Sequence, residues 1–143
     1  MNEIKPTVIK ASGIVLNQEG KLLVVRKRDS DIWISLGGKA EQGETLEEAL
    51  AREVFEEAGL IISGTPILFH TSPIEPAAGK PEITVQIFSY LIAVANEPKI
   101  NPEDKIEEFY WLSKDDFIEK KFKLGSVLEH YVVPELIQKN LLK

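Results

Sequence analysis

Gly38-Lys39-Ala40-Glu41-Gln42-Gly43-Glu44-Thr45-Leu46-Glu47-Glu48-Ala49-Leu50-Ala51-Arg52-Glu53-Val54-Phe55-Glu56-Glu57-Ala58-Gly59-Leu60 is the stretch on which the reading of this 143-residue chain turns. From Thr45 to Ala58 it is dense in Ala, Leu, Glu and Arg, the residues that lose least on entering a helix. Thr45 suits the N-cap, Glu48 three residues later completes a capping box, and Gly59 is a C-terminal stop. At helical periodicity Glu53, Glu56 and Glu57 fall within an arc of about 100°, on the bearing of Leu46 and Ala49 one or two turns earlier. One stripe is therefore apolar near the start and triply acidic near the end. Such crowding costs free energy, and the carbonyl end of a helix disfavours anions. Arg52 offsets part of it. Two readings stand: a solvated acidic face, or carboxylates directed at Mg²⁺ or Mn²⁺. Gly37-Gly38, which permits close backbone approach, and the nearby Glu41 and Glu44 favour the second. Glu47 and Glu48 point elsewhere and read as solvated.

Outward from the helix, Val8 to Leu16 reads as a strand, Asn17 to Gly20 as a turn and Lys21 to Arg26 as its hairpin partner. Trp33 to Leu36 is a short apolar piece. Ile61 to His70 and Ile83 to Val94 read as strands, separated by a Pro-rich loop from Thr71 to Pro81. Apolar residues on both parities of 83–94 predict a central strand covered on both faces. A loop, Ala95 to Lys105, precedes an aromatic strand at Phe109 to Leu112. Ser113 caps a short helix through Phe117, and Ser126 to Lys139 forms the last helix. Strands mixed with two or three helices predict an α/β (α+β) sandwich over one domain, 1–143.

Composition narrows the function. A net charge of −6 disfavours general nucleic-acid binding, which needs many cations to displace counterions. The absence of cysteine excludes thiol nucleophiles and zinc–thiolate sites, and two histidines supply a histidine metal cluster or a Ser-His-Asp triad poorly. His70 and His130 read as structural. No targeting signal or membrane span is legible, so a cytoplasmic location is expected.

Gly38, Glu44, Arg52-Glu53, Val54, Glu56-Glu57 and Gly59-Leu60, at these spacings, match every fixed position of the 23-residue signature of the Nudix hydrolases. The run from Leu22 to Arg28 through Trp33 to Glu44, and the later Glu107 to Leu112 with Asp115 to Phe117, also resemble that family, so the likeness spans most of the chain. Two positions depart. Leu36 stands where proline is common. Lys105, beside Asp104, stands where an acid is often found six positions before the tryptophan.

The resemblance implies an α-β-α sandwich with a central mixed sheet, and cleavage of a nucleoside diphosphate linked to another moiety. It makes Glu53, Glu56, Glu57 and the Gly37 carbonyl the metal ligands, Arg52 the group that orients them, and Glu44 a support of the loop–helix–loop. Mg²⁺ or Mn²⁺ is the implied cofactor. Glu53 is the first candidate for general base, with Glu97, Glu103, Asp104 and Glu107 as others. Arg26, Arg28 and Lys39 are candidates for phosphate binding. Trp33, Phe69, Phe88 and Tyr90 are weighed as base-stacking groups against core packing, which is favoured. A small nucleotide such as a (d)NTP is the expected substrate of a MutT-like enzyme acting as monomer or homodimer. ADP-ribose, another nucleotide sugar or a dinucleoside polyphosphate are alternatives, as is a catalytically silent nucleotide-binding sensor.

Overall fold

The computed structural model describes residues 6–77, 80–101, 103 and 105–143. Strand β1 (Thr7–Val15) leads through a turn to β2 (Leu22–Lys27), then β3 (Trp33–Ile34) and β4 (Leu36–Lys39). Helix α1 (Leu46–Ala58) is followed by β5 (Ile62–Thr71), β6 (Glu75–Ala77) and β7 (Lys80–Val94). Strand β8 (Ile106–Leu112), α2 (Lys114–Ile118) and α3 (Val133–Gln138) complete the order. Among the described residues no helix is long and apolar enough to cross a membrane.

Two sheets result. One runs β4-β1-β7-β5 with β6 on the β7 edge, and the other runs β3-β2-β8. The first is mixed, because β1 and β7 are parallel while β4, β5 and β6 join antiparallel.

The expected hairpin of the first two strands is therefore corrected. The turn forms, with Gly20 N donating to Asn17 O at 2.9 Å, but only Leu16 and Leu22 bridge beyond it. The strands then part, since β1 finds partners in β4 and β7 while β2 finds β3 and β8. Tertiary pairing wins because each strand gains two neighbours instead of one. The Pro-rich loop also contains a strand, β6, in which Pro76 needs no ladder donor at a sheet edge. The last helix is π-helical over Leu128–Val132 before α3, and this fits Pro134, which lacks a backbone N–H.

Strand alternation sorts side chains into two cores. Ala11 and Val15 of β1, Leu23 and Val25 of β2, and Tyr90 and Ile92 of β7 pack with Leu50, Val54 and Ala58 of α1. Ile14, Leu22 and Val24 of opposite parity pack with Leu128, Val132, Val133 and Leu136, and Leu91 packs against them. The both-sided reading of 83–94 holds for its second half, giving helix, sheet and helix layers. Leu36 is 1% exposed in the first core, so the residue at the departing position fills space that a smaller ring would leave. Each fully buried Leu of this kind contributes roughly 1.5–3 kcal/mol relative to exposure.

Helix α1 is anchored as its sequence predicts. Thr45 Oγ1 accepts from Glu48 N at 3.1 Å, Glu48 Oε1 accepts from Thr45 N at 2.9 Å, and Gly59 ends the helix at φ 64°. Thr45→Ala is expected to lower stability by about 1 kcal/mol in urea denaturation, with the slope of the transition unchanged.

Candidate functional site

Strand β4 places the two glycines where a side chain has no space. A Cβ on Gly37, at φ 149°, would lie 2.1 Å from Ala11 O. One on Gly38 would lie 2.6 Å from Glu53 Cδ, so the Glu53 carboxylate rests directly on this backbone. The close approach joins β4, β1 and the acidic stripe of α1.

Arg52 gathers the carboxylates. It grips Glu44 through Nε to Oε2 at 2.8 Å and Nη2 to Oε1 at 2.9 Å, a bidentate pairing. Its Nη1 donates to Glu53 Oε1 at 2.8 Å, and Nη2 reaches Lys39 O at 3.2 Å. Glu56 and Glu41 lie within its field at 3.5 and 3.9 Å. Glu44 also accepts from Glu41 N at 2.8 Å. The Arg52 bonds, followed by that N–H, hold the Glu44 carboxyl down at about 2, and the same pairing raises Arg52.

The three glutamates of the stripe differ in setting. The Glu53 side chain is 14% exposed and faces the cleft, whereas that of Glu56 is 58% exposed. Glu57 turns back to accept from Gly37 N at 2.9 Å. Burial first, and then Glu53, push its carboxyl up to about 7, against the opposing pull of the Gly37 N–H, Lys105 and Lys27. Among the described residues, no three His, Cys, Asp or Glu side chains are already gathered around one point as a metal cage. The expected convergence is thus a shared stripe with separate partners. The donor chemistry still fits a hard cation, since carboxylate oxygens lie along a backbone that only glycine leaves open.

The cleft, about 530 Å³, opens between the two sheets near the end of the α3 layer. Lys10, Lys27, Lys39 and Lys105 line it together with Glu53 and the apolar Ile34, Val127 and Leu128. Ser35 Oγ is buried in its wall with no hydrogen-bond partner. A second depression, about 660 Å³, holds Glu97 and none of the residues from Gly37 to Glu57.

Other sequence candidates are distributed differently. Arg26 is taken up by Glu108 and Glu107, and its Nη1 donates to Ser30 O at 2.9 Å. Arg28 N donates to Lys105 O at 3.1 Å, and Lys39 is the one sequence-predicted phosphate residue on the cleft wall. Trp33 packs edge-on against Phe122 at 5.4 Å, Phe88 and Tyr90 belong to the α1 core, and Phe69 lies beneath Lys139. None of these four aromatics lines the cleft. His70 stacks on Tyr131 at 5.0 Å and His130 is exposed. Glu107 pairs with Arg26, Glu103 is exposed, and Asp104 lies outside the described residues. Lys10, Lys27 and Ser35 were missed because single polar residues on short strands carry no periodic signal.

The NUDIX domain profile matches residues 6–132. The chain belongs to the Nudix family. It is 37% identical over 79 residues to an oxidized purine nucleoside triphosphate hydrolase of Mus musculus, covering 53% of this chain and 49% of that protein. It is 29% identical over 103 residues to an ADP-ribose pyrophosphatase of Methanocaldococcus jannaschii, covering 69% and 59%. The chain thus spans about half to three fifths of the length of these curated relatives. The same mixed-sheet fold occurs in a Nudix hydrolase from Nitrosomonas europaea, with a TM-score of 0.74 at 20% identity, covering 94% of this chain and 90% of that one.

The two glycines of this Nudix chain are expected to respond differently to alanine. Gly37→Ala meets backbone at positive φ and should cost at least about 1–3 kcal/mol. Gly38→Ala meets only the movable end of Glu53, so its loss of stability should be smaller. Denaturation midpoints of the two variants compare them.

Metal-free stability should also depend on pH in a set direction. A carboxyl raised to about 7 from 4.5 stabilises the fold below 4.5 and loses that contribution as pH rises through 7. Glu44, held at about 2, acts oppositely and loses its contribution as pH falls from 4.5 toward 2. In chelator, the thermal midpoint should fall between pH 6 and pH 8, and Glu57→Gln should flatten that limb. The glutamine retains an acceptor for Gly37 N.

Proposed function

We propose that this Nudix chain hydrolyses a pyrophosphate bond in a nucleoside diphosphate linked to another moiety, with a small nucleotide such as a nucleoside triphosphate as its substrate. The observation that carries this reading is the Arg52 clamp on Glu44 and Glu53, built against Gly38 at the wall of a nucleotide-sized cleft. In a purely solvated helix face, Arg52 would not be committed on two sides, nor would Glu53 be sheltered. The known relatives include proteins named for an oxidized purine triphosphate and for ADP-ribose, so nucleotide sugars are the second reading.

Glu53, Glu56, Glu57 and the Gly37 carbonyl are the proposed ligands for Mg²⁺ or Mn²⁺. A bound divalent cation would neutralise phosphate charge and favour ionisation of the attacking water. Arg52 fixes the rotamer of Glu53 and keeps Glu44 ionised. Glu44 ties the loop before α1 to the helix through Arg52 and Glu41 N. Glu53, the cleft-facing carboxylate of the three, removes the proton from water. Lys39 contributes positive charge to the phosphates. In this role the chain acts as one catalytic domain.

The test is turnover of a nucleotide panel with Mg²⁺ or Mn²⁺, with products separated as mono- and diphosphates. Activity should vanish in excess chelator, and full turnover there would overturn the metal assignment. Glu53→Gln, Glu56→Gln and Glu57→Gln should each lower kcat by roughly 10²-fold or more. Glu57→Gln should leave the metal-free melting temperature equal or higher, because a like charge is removed and no Arg52 pairing is lost. Glu129→Gln, on the opposite helix layer, is the control and should change neither. Glu47 is unsuitable as a control because its charge, after burial, helps to raise the Tyr90 hydroxyl in the core.

A further inference from the structure

The cations of this acidic chain are divided by type. The guanidiniums of Arg26 and Arg52 are spent on carboxylates, Glu107 and Glu108 for one, Glu44 and Glu53 for the other. The lysines of the cleft are not. Among the described residues, none of Lys10, Lys27, Lys39 and Lys105 lies within salt-bridge distance of a carboxylate.

Pairing of the strands forces these charges together. Lys10 of β1 and Lys39 of β4 are direct cross-strand partners, so two like charges share one face where opposition is unfavourable. Lys27 ends β2 opposite Ile106, which brings Lys105 beside it. Lys27 is half-buried, and its ammonium is lowered by burial, then by Lys105 and Lys10, against the opposing pull of Glu57 and Glu53. The three lysines from two different sheets therefore feel one another across a single cavity. In the same wall lies Ser35 Oγ, buried and without a partner. A cluster of unpaired cations beside an unsatisfied hydroxyl is the complement of an anion with several oxygens.

We propose that Lys10, Lys27 and Lys105 form an anion-binding wall that holds phosphate groups beyond the bond being cleaved, selecting a run of three phosphates over a diphosphate capped by a sugar. The inference rests on the hydrolase reading of the same cleft and goes beyond it in naming what distinguishes its substrates. A terminal phosphoryl group carries anionic oxygens for all three ammonium groups. A neutral sugar in its place leaves them facing one another with only the field of the cleft glutamates, none within salt-bridge distance, to offset their charge.

The experiment compares steady-state kinetics on a nucleoside triphosphate and on ADP-ribose for the wild type, Lys105→Gln, Lys27→Met and the double variant. Loss of charge-assisted contacts should raise KM for the triphosphate about tenfold in the double variant, with kcat changed by less than about threefold. KM for ADP-ribose should rise less than about twofold. An equal rise for both substrates overturns the proposal. So does a fall in kcat at constant KM, which would mean that the lysines serve only to compensate Glu57. Lys105 is exposed, so Lys105→Gln keeps the test open if Lys27→Met folds poorly. If the wild type cleaves neither nucleotide, the hydrolase reading fails by itself, and calorimetry with inorganic tripolyphosphate and pyrophosphate judges the wall. Tripolyphosphate should then bind about tenfold tighter to the wild type, and the double variant should lose that preference. Equal binding of the two anions by the wild type overturns the wall.

Discussion

The contact of the Gly37–Gly38 backbone with β1 on one side and Glu53 on the other is the constraint from which the site follows. Any side chain at Gly37 would strike Ala11 O, and any at Gly38 would strike the Glu53 carboxylate. With both absent, β4 lies beside β1 in register, Gly38 against Ala11 and Gly37 against Ser12. Helix α1 then packs Leu50 and Val54 into the core while its carboxylates rest on the bare strand. A bond from Gly37 N to Glu57 closes the arrangement from the strand side. Two residues without side chains thus set the distance between the sheet and the acidic stripe.

That stripe is unfavourable on local grounds, because three acids crowd the carbonyl end of a helix with no basic residue in its last turn. Arg52 makes it tolerable by touching Glu44 and Glu53 at hydrogen-bond distance, with Glu41 and Glu56 within its field. The guanidinium fork suits this task better than an ammonium, since its donors are fixed in one plane and meet a carboxylate two at a time. Glu57 has no contact with Arg52, and burial first, then Glu53, push its carboxyl up to about 7.

The cleft owes its position to the layering. Alternate residues of β1 serve α1 on one face and the α3 layer on the other. Ile14 is covered by that second layer, whereas Ser12 and Lys10, two and four residues earlier on the same face, line the open cleft. Val85 and Ile87 of β7 extend the same uncovered surface. One sheet face is therefore core at one end and open cleft at the other, and the helical layer ends between them.

What the sequence by itself determined lies close together along the chain. The span of α1, its capping box, the glycine stop and the single bearing of Glu53, Glu56 and Glu57 follow from propensity and from 3.6-residue periodicity, which operate within a few turns. The family was legible for the same reason, since its signature occupies 23 consecutive positions. What only the tertiary structure decided depends on which strands find one another. The Asn17–Gly20 turn promised a hairpin, yet β1 and β2 joined different sheets, because partners distant in sequence offered each of them two edges. For that reason Lys10 meets Lys39, and Lys27 meets the neighbourhood of Lys105. Arg26, the better candidate along the chain, is neutralised by Glu107 and Glu108 of β8. Long-range pairing is selected by the sum of buried surface and satisfied backbone groups over the whole chain, a quantity that no short window of residues contains.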